Sequence, residues 1–162
     1  HGRSLLPLLR NEADAPRRQD MLYGWWGKGF YWTDGHTLLC KAPERPGPLY
    51  QYGTNLGEKW VGLRDRPFDR YQGSAGYDRV EVGPFLPHTD RPVYRVPYDC
   101  IAYGSPDADY DLLYDLDRDP DCMANLYYRA PRLRRSCTER LVREMERLEV
   151  PEEHFLRLGL MP

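Results

Sequence analysis

The sequence predicts an α+β fold, in which a small antiparallel β-sheet is packed by a C-terminal amphipathic helix, with a long loop-rich central excursion. Three observations predict this class. Strand-like runs lie within residues 21–41 and 111–116, a proline-rich stretch without periodicity occupies 43–97, and apolar residues recur at helical spacing from 133 to 148. Because the strands precede the helix and do not alternate with helices, a parallel βαβ arrangement is not expected.

The composition fits one globular domain and excludes several other classes of protein. The chain has 162 residues, of which 41% are hydrophobic and 13% aromatic, and this is too rich in apolar side chains for a disordered polyelectrolyte. Its net charge is −2, so no overall field attracts nucleic acid or an anionic membrane, and we expect neither as a partner. No apolar run approaches the roughly 20 residues that cross a bilayer.

The first element in chain order is a short helical turn. Ser4 occupies the N-cap position before the segment Leu5–Leu9, which carries a proline in its first turn. Polar residues follow, and residues 1–20 are interpreted as a tether. The sequence begins at His1, with no basic and then apolar leader ahead of the helical pattern, so we expect it to be a piece of a longer protein.

An aromatic hairpin is predicted next. The run Met21–Trp32 is strand-like, although three glycines interrupt it, and Thr37–Lys41 forms the second strand. The segment Thr33–His36 between them contains Asp34-Gly35, a dipeptide typical of tight hairpin turns because glycine adopts positive φ.

Further strands are short and widely separated. Within the excursion the strand-like segments are Leu49–Tyr52 and Val93–Val96, and large aromatic side chains favour anchoring of this region over a disordered linker. Two more strands are predicted at Cys100–Tyr103 and Asp111–Leu116, and the second must end in a turn at Asp117–Pro120.

The C-terminal part predicts two helices. Leu133, Cys137, Leu141, Met145 and Leu148 recur at intervals of four or three, which places them in one apolar stripe on a helix that starts near Pro131. On the opposite side, ion pairs are predicted for Arg135 with Glu139, Glu139 with Arg143, and Arg140 with Glu144. Pro151 ends this helix, and a short terminal helix follows over Glu152–Leu160.

Several chemistries are excluded by spacing. The four cysteines contain no C-x-x-C pair, which excludes zinc knuckles and thioredoxin-like motifs and favours separate thiols, although two disulfides remain an alternative. The acidic stretch 107–121 fails the calcium-loop pattern at its glycine and glutamate positions and is interpreted as a solvated strand edge and turn. No histidine pair has metal-binding spacing, and no nucleophile elbow or phosphate-binding loop occurs.

The pair Trp25-Trp26, with Lys28, is the candidate ligand surface of the hairpin. Adjacent residues of a strand point to opposite faces, so one indole must face away from the surface on which the other packs. Both indoles can be buried in separate layers, or one can form a platform for a ring-bearing or anionic ligand beside the Lys28 ammonium group.

Several segments together resemble the C-terminal part of bacterial sulfatases, and they follow the same order as in that family. The resemblance extends over nearly the whole chain, the L-Y-D-L turn is its most specific element, and the central loops match least. The segments are G-R-S-L-L-P-L-L at 2–9, W-T-D-G-H at 32–36, P-L-Y-Q-Y at 48–52, L-Y-D-L-D-R-D-P at 113–120 with Asn125-Leu126, and P-E-E-H-F at 151–155 followed by R-L-G-L at 157–160.

The resemblance implies that residues 21–162 form a subdomain docked on an alkaline-phosphatase-like catalytic domain, its expected partner. Sulfatases are hydrolases that cleave sulfuric esters with a formylglycine made from C/S-x-P/A-x-R, beside a divalent metal such as calcium. None of the cysteines or serines of this chain completes that motif, so no catalytic residue, metal ligand or cofactor is expected here. The implied role is to support the fold and to form one wall of the substrate pocket, with Trp25, Trp26, Lys28 and His88 as candidate rim residues.

Two alternatives stay open at this level. The parent could be a phosphonate or phosphodiester hydrolase of the same superfamily, or the chain could be a stand-alone binding module. A stand-alone module should have a polar surface, whereas a subdomain separated from its parent should expose a contiguous apolar patch larger than roughly a few hundred Å². Hairpin and helix faces that are fully covered would count against the subdomain.

Overall fold

Seven strands and three helices form the part of the chain that the structure describes. The structure is a computed structural model that describes residues 4–13, 15, 18–24, 28–45, 47–54, 80–97 and 110–160. In chain order the elements are α1 (Leu6–Leu9), β1 (Met21–Gly24), β2 (Phe30–Thr33), β3 (Thr37–Lys41), β4 (Tyr50–Gly53), β5 (Glu81–Gly83), β6 (Val93–Pro97), β7 (Leu112–Asp115), α2 (Pro131–Arg147) and α3 (Glu152–Leu158). The predicted α+β class is confirmed. None of the described helices is long and apolar enough to cross a membrane.

The chain divides into two compact units. The first consists of His1–Ala42 with Tyr110–Val150, and the second of Pro43–Asp109 with Pro151–Pro162. Each unit contains one antiparallel sheet and at least one helix. The predicted boundary between a tether at 1–20 and a subdomain at 21–162 stays a prediction.

The sheet of the first unit has the strand order β1-β2-β3-β7, and every neighbouring pair is antiparallel. The register places Leu22, Trp32, Leu39 and Leu113 in one row across the four strands. The last three of these side chains are fully buried, as are Leu141 and Met145 of α2, which contacts β1 and β3. Because successive side chains of a strand point to opposite faces, this row lies on one face of the sheet.

The prediction of one strand over Met21–Trp32 was wrong. This run forms two antiparallel strands, and Gly24 of β1 lies opposite Phe30 of β2. Gly29 explains part of the geometry, because a Cβ atom there would lie 2.5 Å from the carbonyl oxygen of Lys41. A residue with a side chain could not bring β2 this close to the end of β3.

Helix α2 begins at Pro131 as predicted, and Cys137, Leu141 and Met145 of the predicted stripe are buried. The predicted Arg140–Glu144 pair is wrong, because the Arg140 guanidinium donates to the carboxylates of Asp20 and Asp34, and Glu144 pairs with Arg147. A guanidinium facing two carboxylates on another part of the unit gains more than it would from a neighbour on its own exposed helix face.

The second unit contains a sheet inside the region that the sequence predicts to be loop-rich. Its strand order is β4-β6-β5, with antiparallel pairing throughout. Strands β4 and β6 confirm the two predicted strand-like segments, and β5 pairs Glu81–Gly83 with Val93–Arg95. The strand predicted at Cys100–Tyr103 lies outside the described residues.

Helix α3 belongs to the second unit and confirms the predicted terminal helix. Pro151 precedes it, and Gly159 follows in the left-handed conformation, with φ of 66°. The carbonyl of Arg157 accepts N–H groups from Glu44 and Arg45 at 2.8 and 3.2 Å, and Leu158 is fully buried. Glycine at such a C-terminal position avoids the steric cost of positive φ.

Candidate functional site

The structure describes two of the four predicted rim residues. Trp25 and Trp26 lie outside the described residues. Lys28 is partly buried just ahead of β2 in the first unit, and His88 is exposed on the turn between β5 and β6 in the second unit. The predicted rim surface thus stays a prediction.

The hairpin nevertheless presents aromatic surface at its edge. The rings of Tyr23 and Tyr31 stack with centroids 5.2 Å apart and planes inclined by 16°. Tyr23 and Met21 remain almost half exposed on β1, which is an outer strand of the sheet. Burial raises the pKa of the Tyr23 phenol, so this ring stays neutral at physiological pH.

The T-D-G-H turn and the L-Y-D-L segment meet in the first unit. The backbone carbonyl of His36 accepts the N–H of Leu116 at 2.7 Å, and Nδ1 of His36 lies 3.0 Å from a carboxylate oxygen of Asp117. Hydrogen bonding to Asp117 raises the pKa of the His36 imidazole. Two segments that are far apart in sequence are therefore joined by both backbone and side-chain contacts.

Asp34 stabilises the T-D-G-H turn through its carboxylate. One of its carboxylate oxygens accepts the N–H groups of His36 and Thr37, at 3.0 and 2.8 Å, and the other accepts from Arg140 at 2.7 Å. Burial alone would raise the pKa of Asp34, but these backbone and guanidinium donors together lower it. An aspartate that precedes glycine in this way fixes the turn through its own backbone neighbours.

Two aspartates of the acidic stretch, Asp111 and Asp119, accept hydrogen bonds from within the chain. Asp111 accepts the N–H of Ala42 at 2.9 Å and an ammonium hydrogen of Lys41 at 3.3 Å. Asp119 accepts the N–H groups of Met123 and Ala124 at 2.9 and 2.8 Å. Within the described part of the chain, no three acidic, histidine or cysteine side chains converge in a way that could hold a metal ion.

Asn125 links this turn to the sheet. Its side-chain oxygen accepts the N–H groups of Leu113 and Tyr127, at 3.1 and 3.0 Å, and its amide nitrogen donates to the carbonyl of Asp111 at 3.0 Å. The turn after β7 thus runs back along the free edge of this strand, where Leu126 also donates to the Leu113 carbonyl. The polar residues of the L-Y-D-L turn therefore stabilise the backbone of this turn.

The described cysteines, Cys40, Cys122 and Cys137, carry thiols and form no disulfide. Cys137 is buried on α2, and burial raises its pKa to about 11. A thiol with such a pKa is almost fully protonated at neutral pH and is a poor nucleophile. Cys100 lies outside the described residues.

The second sheet carries a cluster of charged and aromatic side chains that the sequence analysis did not predict. Tyr52, Arg95 and Glu81 lie opposite one another in a row across β4, β6 and β5. The Arg95 guanidinium carbon lies 4.6 Å from the ring centroid of Tyr50 and 4.1 Å from that of Phe85. We call these residues, with Glu153 of α3, the Arg95 cluster.

Hydrogen bonds continue through the Arg95 cluster. One carboxylate oxygen of Glu81 accepts from both Nε and Nη2 of Arg95, with Nε at 2.6 Å, and the Tyr52 hydroxyl donates to Glu153. Burial opposes protonation of Arg95, but the Glu81 carboxylate raises its pKa. Burial and then Glu153 raise the pKa of Tyr52 far above its usual range, so the phenol stays a donor.

The Arg95 cluster cannot be recognised in the sequence, because its residues come together only through the pairing of the strands. Tyr-x-Tyr at 50–52 indicates two aromatic side chains on one strand face, but the sequence does not tell which strand lies beside it. Chemically, the arrangement offers a guanidinium with two aromatic rings against it and hydrogen bonds to an exposed carboxylate.

Comparison with known proteins gives no relative: no family model, no curated protein and no solved structure matches this chain.

Proposed function

We propose that this chain is the C-terminal subdomain of a sulfatase, which supports the fold of the catalytic domain and forms part of the wall of its substrate pocket. The formylglycine nucleophile and the divalent metal, calcium in the expected case, belong to the catalytic domain in this proposal. The chain itself contributes by positioning and by excluding water from a closed cleft.

One observation carries the proposal. Two of the segments that resemble the sulfatase family, the T-D-G-H turn and the L-Y-D-L turn, are neighbours in one sheet and are joined by the His36–Asp117 pair and the Leu116–His36 backbone bond. Their polar residues are used to hold the turns, as described for Asp34, Asp119 and Asn125. Because these residues hold the turns in place, the same residue types are expected to recur in a family that shares the turns.

The surface of the first unit favours a docked subdomain over a stand-alone module. None of the residues of helix α1 is buried. Leu9, the last residue of the helix, is 79% exposed, and Leu5, which precedes the helix, is 65% exposed. Large aliphatic side chains in water are costly unless a partner covers them. An upstream catalytic domain, which would be joined to the chain at this end, is the partner that the proposal names.

The upstream coding DNA provides the first test. We expect a long open reading frame that joins His1 in phase and contains C/S-x-P/A-x-R. A start codon directly ahead of His1 would contradict the proposal and leave a binding module.

The complete protein then provides the second test. We expect hydrolysis of 4-nitrophenyl sulfate, with little turnover of bis(4-nitrophenyl) phosphate or of a phenylphosphonate ester. The opposite preference would indicate that the parent protein is a phosphonate or phosphodiester hydrolase of the same superfamily.

The role of α1 can be tested with one substitution in two contexts. Leu9→Glu in the isolated chain should change the free energy of unfolding by no more than about 0.5 kcal/mol, because the side chain is already exposed. The same substitution in the complete protein should cost about 2 kcal/mol or more if the leucine is buried against the catalytic domain. Equal effects in both contexts would count against docking through α1.

A further inference from the structure

The geometry of the Arg95 cluster points to a binding site for an oxyanion, and we propose that Arg95 binds the sulfate group of a sulfate ester in exchange for Glu81. The assignment of sulfate as the oxyanion rests on the proposed function. The site itself rests on the contacts of Arg95, which can be examined separately.

The guanidinium of Arg95 also has contacts that do not involve Glu81. The rings of Tyr50 and Phe85 lie against it at 4.6 and 4.1 Å, so its plane is restrained by cation–π contacts. Arg95 lies on β6, the central strand of the sheet, whereas Glu81 lies on β5 at the edge. A guanidinium that is already oriented loses little freedom when it binds an external group.

Glu81 is a replaceable partner. Its side chain is 53% exposed, against 27% for that of Arg95, and an ion pair this open to solvent contributes little to stability. The pair is also incomplete as a fork, because Nε and Nη2 of Arg95 share a single carboxylate oxygen. A sulfate group can offer one oxygen to each N–H, which is the geometry that guanidinium groups favour.

The two rings suggest what else the ligand could contact. Tyr50 and Phe85 are both partly exposed, which leaves part of these residues accessible to a ring-bearing part of a substrate. Aromatic side chains supply such contact area at a low cost in conformational entropy. The sulfate esters of phenols and of sugars therefore fit the site better than inorganic sulfate alone.

Binding is tested by titrating phenyl sulfate into the isotope-labelled chain and following the Arg95 Nε–H signal and the backbone amide signals by NMR. We expect saturable shifts of Arg95 and of the amides near Phe85, with a dissociation constant on the order of millimolar, as for a small ligand with one charged contact. Phenyl phosphate and benzoate, titrated in parallel, report whether the site prefers sulfate over other oxyanions.

The decisive variant is Glu81→Gln, which removes the competing charge. It should tighten binding of phenyl sulfate about two- to fivefold, because an exposed carboxylate no longer competes for the fork. Arg95→Lys should weaken binding several-fold, because an ammonium group cannot form the two-pronged contact. A purely structural Glu81–Arg95 pair would give no gain of affinity in Glu81→Gln.

A matched control exists on α2. Arg147 donates from Nε and Nη2 to one carboxylate oxygen of Glu144 at 2.9 and 2.7 Å, which is similar to the Arg95–Glu81 contact, although Nε also reaches the second oxygen at 3.2 Å. No ring contact is found for Arg147 among the described residues. Glu144→Gln makes the same change in net charge and should leave phenyl sulfate binding unchanged.

The outcomes separate the inference from the proposed function. Tighter binding in Glu81→Gln and none in Glu144→Gln supports the site, and a preference for phenyl phosphate or benzoate overturns the assignment of sulfate. Absence of saturable shifts in both the natural chain and Glu81→Gln overturns the site. Neither of these failures bears on the upstream reading frame or on sulfatase activity, which test the proposed function.

Discussion

Arg140 differs from the other arginines of α2 in what its guanidinium contacts. It donates to Asp34 at 2.7 Å and to Asp20 at 2.8 Å, and it lies 4.5 Å above the ring of Trp32. The indole N–H of Trp32 donates to the same oxygen of Asp20 at 3.0 Å. One side chain thus ties the helix to the residue before β1 and to the hairpin turn.

Replacing Arg140 should therefore destabilise the first unit. Arg140→Met leaves two partly buried carboxylates without their cation, and we expect the free energy of unfolding to fall by about 2 kcal/mol. Chemical denaturation followed by circular dichroism measures this change. Arg143→Met, on an exposed position of the same helix, is the control and should stay within about 0.5 kcal/mol of the natural chain.

His36 gives the molecule a pH-dependent contact. Its pKa is raised above 6.5 by the hydrogen bond to Asp117. Since the folded state holds the proton more tightly than the unfolded state, the pair contributes stability below pH 6.5 and loses it as the pH rises through the folded pKa.

Substitution of the partner should abolish this shift. In Asp117→Asn we expect the His36 pKa to return toward 6.5, because the carboxylate that stabilises the imidazolium is gone. An NMR titration of the imidazole signals measures both values. A pKa that does not change in Asp117→Asn would mean that the contact is not formed in solution.

Asn125 stabilises the turn after β7. Its side chain closes three hydrogen bonds to the backbone of residues 111, 113 and 127. Asn125→Ala leaves these groups unpaired in a partly buried place and should cost about 2 kcal/mol of unfolding free energy, measured by denaturant titration. Asp121→Ala, on an exposed residue of the same turn, should have little effect.

Elements with strong local signals could be predicted from the sequence. Helix α2 has 17 residues and a regular apolar stripe, and its start at Pro131 was predicted correctly. Strand β5 has only three residues, which is too short for an alternating pattern to be recognised, so the second sheet was missed. The glycines in Met21–Trp32 interrupt the apolar pattern, but the pattern alone does not show that they separate two strands.

The difference between local and long-range signals also explains what could be predicted of the candidate sites. The Asp34-Gly35 turn is local, and its position followed from two adjacent residues. The Arg95 cluster depends on the register that places Tyr52 and Glu81 on either side of Arg95, and these residues come from three separate strands. Arg140 was assigned to Glu144 because spacing along a helix does not reveal carboxylates elsewhere in the fold.

At the scale of the whole molecule, the second unit interrupts the first. Residues 43–109 lie in the chain between β3 and β7, which are neighbours in the first sheet, and the N–H of Ala42 donates to the Asp111 side chain at 2.9 Å. The two ends of the interruption are thus close together.

We therefore expect the first unit to fold without the second. A variant in which a short glycine-serine linker replaces residues 43–109, and which ends at Val150, should unfold cooperatively, with Trp32 protected from solvent as in the full chain. Denaturation followed by Trp fluorescence and circular dichroism measures this. A variant without a cooperative transition would show that the two units depend on each other for stability.

The placement of β7 also sets the order in which the first sheet can assemble. Strands β1, β2 and β3 are joined by short connections and pair locally, whereas β7 pairs with β3 only after the ends of a long loop have met. During this interval the outer edge of β3 has no strand beside it, and Leu39 lacks its neighbour Leu113. The nascent chain is accordingly most prone to aggregate before β7 arrives, so slow translation of residues 43–109 would lengthen its most vulnerable period.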